Sequence, residues 1–491
     1  MQQPKKPNII YILADDMGYG DVSANNESCP FETPSLDSLA KHGLRFTDAH
    51  ASSAVCTPSR YSIMTGRYNW RSALKEGVLG GYSSPLIPQG RTTVATMLRQ
   101  CGYRTTAIGK WHLGMTFPKL PGFVEQPDFA HSEGIDFTRT IKNSPISVGF
   151  DSYYGISGSL DMPPYVYIEN DRFTAIPNRL TKGTGKGYWR EGLTAPDFVH
   201  EEVLDHLTDR VLVSITEQKE NPFFIYFALP APHTPILPHP KFEGKSNTNA
   251  YGDFVLHCDD VLRRVQEHLE KEGLLEDTLI IFTSDNGCSP MADFTELAEK
   301  KHNPSYHFRG MKSDIFEGGH RVPLLLQWPS TLPHNKVCDR LVCLSDLFAT
   351  LADYLGYEIA PSAAEDSVSN RALWEDPSSG EVRDTLVHQS IDGSLSIRSG
   401  SWKLEMCAGS GGWSTPVPGS DEEALLPRLQ LYNLADDIGE RHNVYLDHPA
   451  IVQDLKAKLK KIVSEGRSTA GPAQENEGLP VWETVSWLDE V

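Results

Sequence analysis

The chain has 491 residues, 39% of them AVILMFWYC and 22% charged, and 45 Lys plus Arg against 65 Asp plus Glu leave a formal net charge of −20. Length and composition of this kind build a sizeable core and exclude a disordered, collagen-like or disulfide-dense protein. The acidic balance excludes a nucleic-acid binder, and any anionic substrate must be met by a local cluster of basic side chains.

Residues 1–6 have no apolar leader, so the chain is either cytoplasmic or a mature form whose signal has been removed. The second reading places it in the periplasm, outside the cell or in a lysosome-type compartment. Residues 8–13 form a continuous apolar run of strand length. Thr33-Pro34 opens a helix with Leu36, Leu39 and Ala40 on one side, and Gly43 ends it. Val94, Met97, Leu98 and Cys101 mark a second helix, followed by a strand over 103–108. A long helix through Val203, Leu207, Val211 and Ile215 precedes a strand at 222–229. Another, through Cys258, Val261, Leu262, Val265 and Leu269, precedes a strand at 278–283. Unalternated apolar strands separated by helices predict an α/β protein, a large mostly parallel sheet covered by helices on both faces. No run reaches the 18 or so apolar residues of a membrane span.

The Pro/Gly/Ser-rich stretches 116–130, 142–165 and 181–196 read as long functional loops. A composition break at 359–380 divides the chain into a large domain, 1–380, and a small C-terminal α+β domain, 381–491. The small domain is expected to hold antiparallel strands at 385–390, 395–399, 402–406 and 429–434 and a helix at 449–464. The eight cysteines are scattered without zinc-ligand spacing.

Four predicted strands deliver polar residues at their carboxyl ends: Asp15 and Asp16, then Lys110 and His112, then His233, then Asp285 and Asn286. Asp-Asp-Met-Gly and Asp-Asn-Gly are good turn sequences on their own. Four such coincidences on one edge point instead to the crevice where open α/β sheets bind ligands. Three carboxylates and an amide oxygen suit calcium or magnesium and not zinc. With Lys110, His112, His233 and Lys312 around them, they describe a pocket for a small oxyanion.

Cys56-Thr57-Pro58-Ser59-Arg60, continued by Thr65-Gly66, is the sharpest motif. Pro58 reads as the first residue of a helix, which puts Cys56 beside a helix N-terminus, where anions are favoured. Cys-x-Pro-Ser-Arg followed by Thr-Gly resembles the signature of type I sulfatases, members of the alkaline phosphatase superfamily. Gly109-Lys110-Trp111-His112, Pro232-His233-Thr234-Pro235, Ser284-Asp285-Asn286-Gly287 and Lys312 ahead of Glu317-Gly318-Gly319 resemble the family's other segments, in order. The resemblance runs from about residue 7 to about residue 450. No serine or threonine between the His112 and His233 segments stands out as the one some members place in the site.

The resemblance implies a sulfatase in which a maturation enzyme oxidises Cys56 to Cα-formylglycine, with one calcium ion held by Asp15, Asp16, Asp285, Asn286 and the modified residue 56. It implies that Arg60 and Lys110 hold the aldehyde hydrate, Lys312 meets a sulfate oxygen, His233 protonates the leaving alkoxide, and His112 takes the proton that releases sulfate. Arg60 could alternatively serve only to pair with a metal carboxylate. The expected substrate is a sulfated carbohydrate such as a glycosaminoglycan, with galactose or N-acetylgalactosamine 6-sulfates suggested by the segment 68–87. Trp70, Arg71, Asp161, Tyr165, His307 and Arg309 are candidates for binding the rest of it, and Trp111, Tyr167 and Trp189 for stacking on a sugar ring. A phosphonate or phosphate diester hydrolase of the same superfamily, and a non-catalytic sulfated-glycan binder with unmodified Cys56, are the alternatives.

Overall fold

The computed structural model describes residues 6–122 and 134–488. Positions 1–5, and 123–130 of the predicted 116–130 loop, lie outside them. The main sheet has ten strands: β1 (Asn8–Asp15), β2 (Leu44–Phe46), β3 (Arg104–Lys110), β4 (Ser152–Ile156), β5 (Ile168–Glu169), β6 (Arg172–Phe173), β7 (Phe223–Pro232), β8 (Thr278–Ser284), β9 (Leu324–Gln327) and β10 (Lys336–Cys338). Their order across the sheet is β10-β2-β9-β8-β1-β7-β3-β4-β5-β6. The centre is parallel, with β1 between β8 and β7, and β3 and β4 following; β9 enters antiparallel on one side and β5 and β6 on the other.

All eight residues of β1, all ten of β7 and all seven of β8 are buried. These strands are sandwiched, so their sequences do not alternate. Two apolar cores result. Ile9, Tyr11 and Leu13 face one, with α2 (Cys56–Thr65) and α3 (Val94–Gln100). Ile10 and Ile12 face the other, with α1 (Pro34–Lys41), α4 (Val203–Gln218) and α5 (Ala250–Lys271).

A separate antiparallel sheet of four strands, β11 (Thr385–Gln389), β12 (Leu395–Ser399), β13 (Trp402–Glu405) and β14 (Gln430–Asn433), is joined by the helix α6 (Pro449–Ser464). Its core also takes in Tyr68, Trp70, Leu341 and Cys343 from the larger part. The 359–380 break in composition is no loose linker. Asp366, fully buried, pairs with Arg71, and Glu365 pairs with Arg67 and Arg91.

The structure corrects the two later loop expectations. The 142–165 stretch contains β4, a full member of the main sheet, and the 181–196 stretch contains half of a small hairpin, Arg179–Thr181 with Gly192–Thr194. Five-residue β4 lies between Gly149 and Gly158, and its apolar signal is too short to stand out from these punctuating residues. Among the described residues no helix is long and apolar enough to cross a membrane.

Candidate active site

The carboxyl ends of β1, β3, β7 and β8 meet the start of α2. Asp15 is the last residue of β1, and Asp16 turns the chain with φ of 64°. Lys110 ends β3 and His112 follows at φ of 56°. His233 and Asp285 each come one residue after their strands. The helix α2 starts at Cys56 itself, with Val55 as its extended cap, so Pro58 is its third residue and not its first. The proline still falls in the first turn, where a missing N–H removes no helical bond.

These elements close a buried constellation. Cys56 Sγ lies 3.5 Å from Asp15 Oδ1. Lys110 Nζ donates to Asp15 Oδ2 at 2.7 Å and to Ser159 Oγ at 3.2 Å. Lys312 Nζ lies 2.7 Å from Asp16 Oδ1. Arg60 Nη2 donates to Asp285 Oδ2 at 2.6 Å and stands 3.5 Å from Asp15 Oδ1. One atom from each of Asp15, Asp16, Cys56 and His233 falls within 4.8 Å of the others. Nδ2 of Asn286 donates to Asp16 Oδ1 at 2.7 Å and to the Gly287 carbonyl at 2.9 Å, and its buried Oδ1 has no partner. An orphaned amide oxygen beside three carboxylates is a donor set for a hard cation.

The electrostatics agree. Burial raises the Asp285 carboxyl above the usual carboxylate range, and the Asp15 and Asp16 charges add to this, against Arg60. Burial would also raise Asp15, but Lys110, His233, Arg60 and Lys312 hold it well below that range. Burial pulls Lys312 down, yet Asp16 and its other acidic neighbours hold it above the ordinary lysine value, so it stays charged. Burial, with Lys110 and Arg60 nearby, keeps His112 neutral well below the ordinary histidine value. Its Nε2 donates to the Leu79 carbonyl at 2.6 Å, leaving Nδ1 buried as a bare acceptor. Burial also pushes the Cys56 thiol up, so the thiol itself is a poor nucleophile.

Ser159 was not legible in the sequence. Its hydroxyl bridges Lys110 Nζ and His233, 3.3 Å from His233 Nδ1. Its signal was Ser157-Gly158-Ser159 directly after a strand, hidden because that strand read as loop.

The candidate substrate residues fare differently. The structure engages Trp70 and Arg71 within the protein. Both are fully buried, and Arg71 stacks over the Trp70 ring while its guanidinium clamps Asp366. Tyr165 is buried with its hydroxyl on the Asp161 and Arg190 carbonyls, and Asp161 pairs with Arg190. Trp111 and Tyr167 are core residues, and Trp189 stacks on His200. Arg309 is spent on Tyr432, the Glu440 carbonyl and the Phe316 ring, and His307 is exposed; both line a separate cleft of about 320 Å³ with Tyr306 and Arg441.

The sulfatase family profile matches residues 7–357. The chain belongs to the sulfatase family. An N-acetylgalactosamine-6-O-sulfatase of Bacteroides thetaiotaomicron is 32% identical over 506 aligned positions, covering 94% of each chain. The N-acetylgalactosamine-6-sulfatase of Homo sapiens is 25% identical over 99% of this chain and 90% of its own. A solved structure from work on the metabolism of multiple glycosaminoglycans by Bacteroides thetaiotaomicron superposes with a TM-score of 0.81 at 30% identity, covering 93% of this chain and 99% of that one. The protein is therefore a sulfuric ester hydrolase, and sulfatases of this family work with a formylglycine and a metal ion.

Proposed function

We propose that this sulfatase removes a 6-O-sulfate from galactose or N-acetylgalactosamine units of a sulfated glycan, outside the cytoplasm, after a maturation enzyme converts Cys56 to formylglycine. The observation that carries the reading is the convergence of Cys56, three carboxylates, the orphaned Asn286 oxygen and three cations in one buried site. The names of the two curated relatives support the sugar and its 6-position.

Asp15, Asp16, Asp285 and Asn286 would hold a calcium ion, chosen by their all-oxygen chemistry. A cation held there would supply Lewis-acid chemistry to the hydrate of the modified residue 56 and to the sulfate. The chain's own residues do the rest. Lys312 and Lys110 bring fixed positive charge to the sulfate oxygens, where charge develops in the transition state. His233, oriented by the Thr234 carbonyl and by Ser159, gives a proton to the departing sugar oxygen. His112 accepts a proton at Nδ1 when sulfate is released. Arg60 fixes the Asp285 carboxylate.

The test is a panel of defined substrates: N-acetylgalactosamine 6-sulfate, galactose 6-sulfate, N-acetylgalactosamine 4-sulfate, glucosamine 6-sulfate, an aryl sulfate and an aryl phosphodiester. Turnover led by the first two supports the reading. Faster turnover of the phosphodiester, or of the 4-sulfate, overturns it.

A further inference from the structure

We propose that Trp413 is the platform on which the sugar ring of the substrate stacks, a specificity role that rests on the carbohydrate sulfatase reading above. The chain has nine tryptophans. Six are at least nine-tenths buried, Trp189 and Trp402 are half-buried, and Trp413 alone is exposed, at 47%. An indole left in water on a loop whose backbone is fastened can cover the apolar face of a sugar.

The loop that carries Trp413 runs between β13 and β14 of the small sheet, yet it is fastened to the catalytic site. The Trp413 amide donates to Ser313 Oγ and to Asp314 Oδ1, both at 2.9 Å. The Ser414 amide donates to the same Asp314 oxygen at 3.1 Å, and the Ile315 amide donates to the Ser410 carbonyl at 2.7 Å. Gly412 lies so close that a Cβ there would sit 2.5 Å from Asp314 Oδ1 and 2.6 Å from the Ser313 carbonyl carbon. Only glycine allows this approach. Trp413 is thus seated on the two residues that directly follow Lys312.

Those buried residues are tied by backbone bonds to the segments around the reacting centre. The Ser313 amide donates to the Ala54 carbonyl at 2.7 Å, two residues before Cys56. The Ser313 carbonyl accepts from Ile391, and the Ile391 carbonyl accepts from Gly77, which leads to the Leu79 carbonyl that holds His112. These bonds connect the Lys312 side of the site to the His112 side. In the proposed complex a sulfate ester held between Lys312 and Cys56 has its sugar leave the site past this loop, whose exposed aromatic is Trp413. The C–H face of a galacto-configured ring, continuous with its C6, is the apolar surface that an indole covers.

The experiment is steady-state kinetics of the wild type, Trp413→Ala and Trp413→Phe on N-acetylgalactosamine 6-sulfate, with inorganic sulfate as competitive inhibitor. Trp413→Ala should raise KM about tenfold, the effect of losing roughly 50 Å² of apolar contact, with kcat held within about twofold. Trp413→Phe should recover most of the KM, and the inhibition constant of inorganic sulfate should not move. An unchanged KM in Trp413→Ala overturns the platform. A parallel rise in KM and in the sulfate inhibition constant also overturns it, because Trp413 would then act by propping Ser313 and Lys312. If the wild type turns over no sulfated saccharide of the panel, the carbohydrate reading itself falls. If it prefers another sulfated sugar, the same three proteins are compared on that sugar.

Discussion

Asn286 and Asp16 fix each other's orientation. The Asn286 amide gives both of its hydrogens away, to Asp16 Oδ1 at 2.7 Å and to the Gly287 carbonyl at 2.9 Å. Both partners are acceptors, so the amide can face only one way. Its oxygen is then left buried and unpartnered. The expected consequence is that a calcium-selective chelator abolishes activity and that added calcium restores it. Asn286→Ala should weaken calcium affinity at least tenfold in a titration read by protein stability. Full activity after verified metal removal would count against the oxygen cage.

Cys56→Ala should abolish turnover with the fold preserved. Alanine fits the first residue of α2 without strain, and it cannot become an aldehyde hydrate. Thermal unfolding close to the wild type, together with activity below about one part in a thousand, is the expected pair of results. Intact-peptide mass spectrometry of the active protein should show the thiol at position 56 replaced by an aldehyde. Several per cent of residual activity in Cys56→Ala would place the nucleophile elsewhere.

Lys312 and His233 flank Asp16 but should fail differently when removed. Lys312, held in its charged form by Asp16 and its neighbours, acts on sulfate whatever the leaving group. His233 lies 3.6 Å from Asp16 Oδ2, and its proton matters most where the leaving alkoxide is poor. His233→Ala should therefore slow a sugar sulfate about a hundredfold more than a nitrocatechol sulfate, while Lys312→Ala slows both alike. The ratio of kcat/KM values for the two substrates reads this directly. Equal losses in His233→Ala would make it a sulfate-binding residue.

Arg71 is expected to be structural. Its guanidinium holds Asp366 through two bonds of 2.8 and 2.9 Å, with both side chains fully buried. Arg71→Ala leaves a buried carboxylate uncompensated, at a cost of about 3–5 kcal/mol. Chemical denaturation should show that loss with KM unchanged in the folded fraction. A raised KM with undiminished stability would return Arg71 to the substrate.

Acid should loosen the cage of rings beneath the 181–196 segment. His200 is 5% exposed, stacks on Trp189 at 3.9 Å, and its buried Nε2 has no partner. Burial, with a smaller push from Arg179, lowers its imidazole to about 3. The unfolded chain therefore binds the proton first. The stability that His200 contributes is complete above about pH 6.5 and is lost as the pH falls toward the folded value, reaching about 2 kcal/mol at pH 5. His200→Phe keeps the ring and removes the proton site. The variant should match the wild type at pH 8 and gain on it steadily between pH 7 and 5, read as the difference in unfolding midpoints. A difference that does not change with pH would show that His200 takes up its proton alike in the folded and unfolded chain.

The central strands and the helices between them were legible because they are long and carry one period each. β1, β7 and β8 each carry an unbroken apolar run, and α6 begins and ends where its proline and its apolar spacing place it. The chemistry at the strand ends was legible for a related reason. A parallel sheet brings every strand's carboxyl end to one edge, so Asp15, Lys110, His233 and Asp285 could be grouped before any contact was known.

Tertiary structure decided what depends on which neighbour arrives from far along the chain. Trp70 and Arg71 have the composition of a sugar site, and only Asp366, 295 residues later, makes them a buried clamp. β4 joins the sheet because β3 offers it a parallel edge, and with it comes Ser159. The loop of Trp413 is fastened beside Lys312 because a glycine lets it press against Ser313. Local periodicity reports how a segment meets apolar surface in general. Charge pairing, edge pairing and close backbone approach depend on one particular partner, and no local pattern in the sequence encodes it.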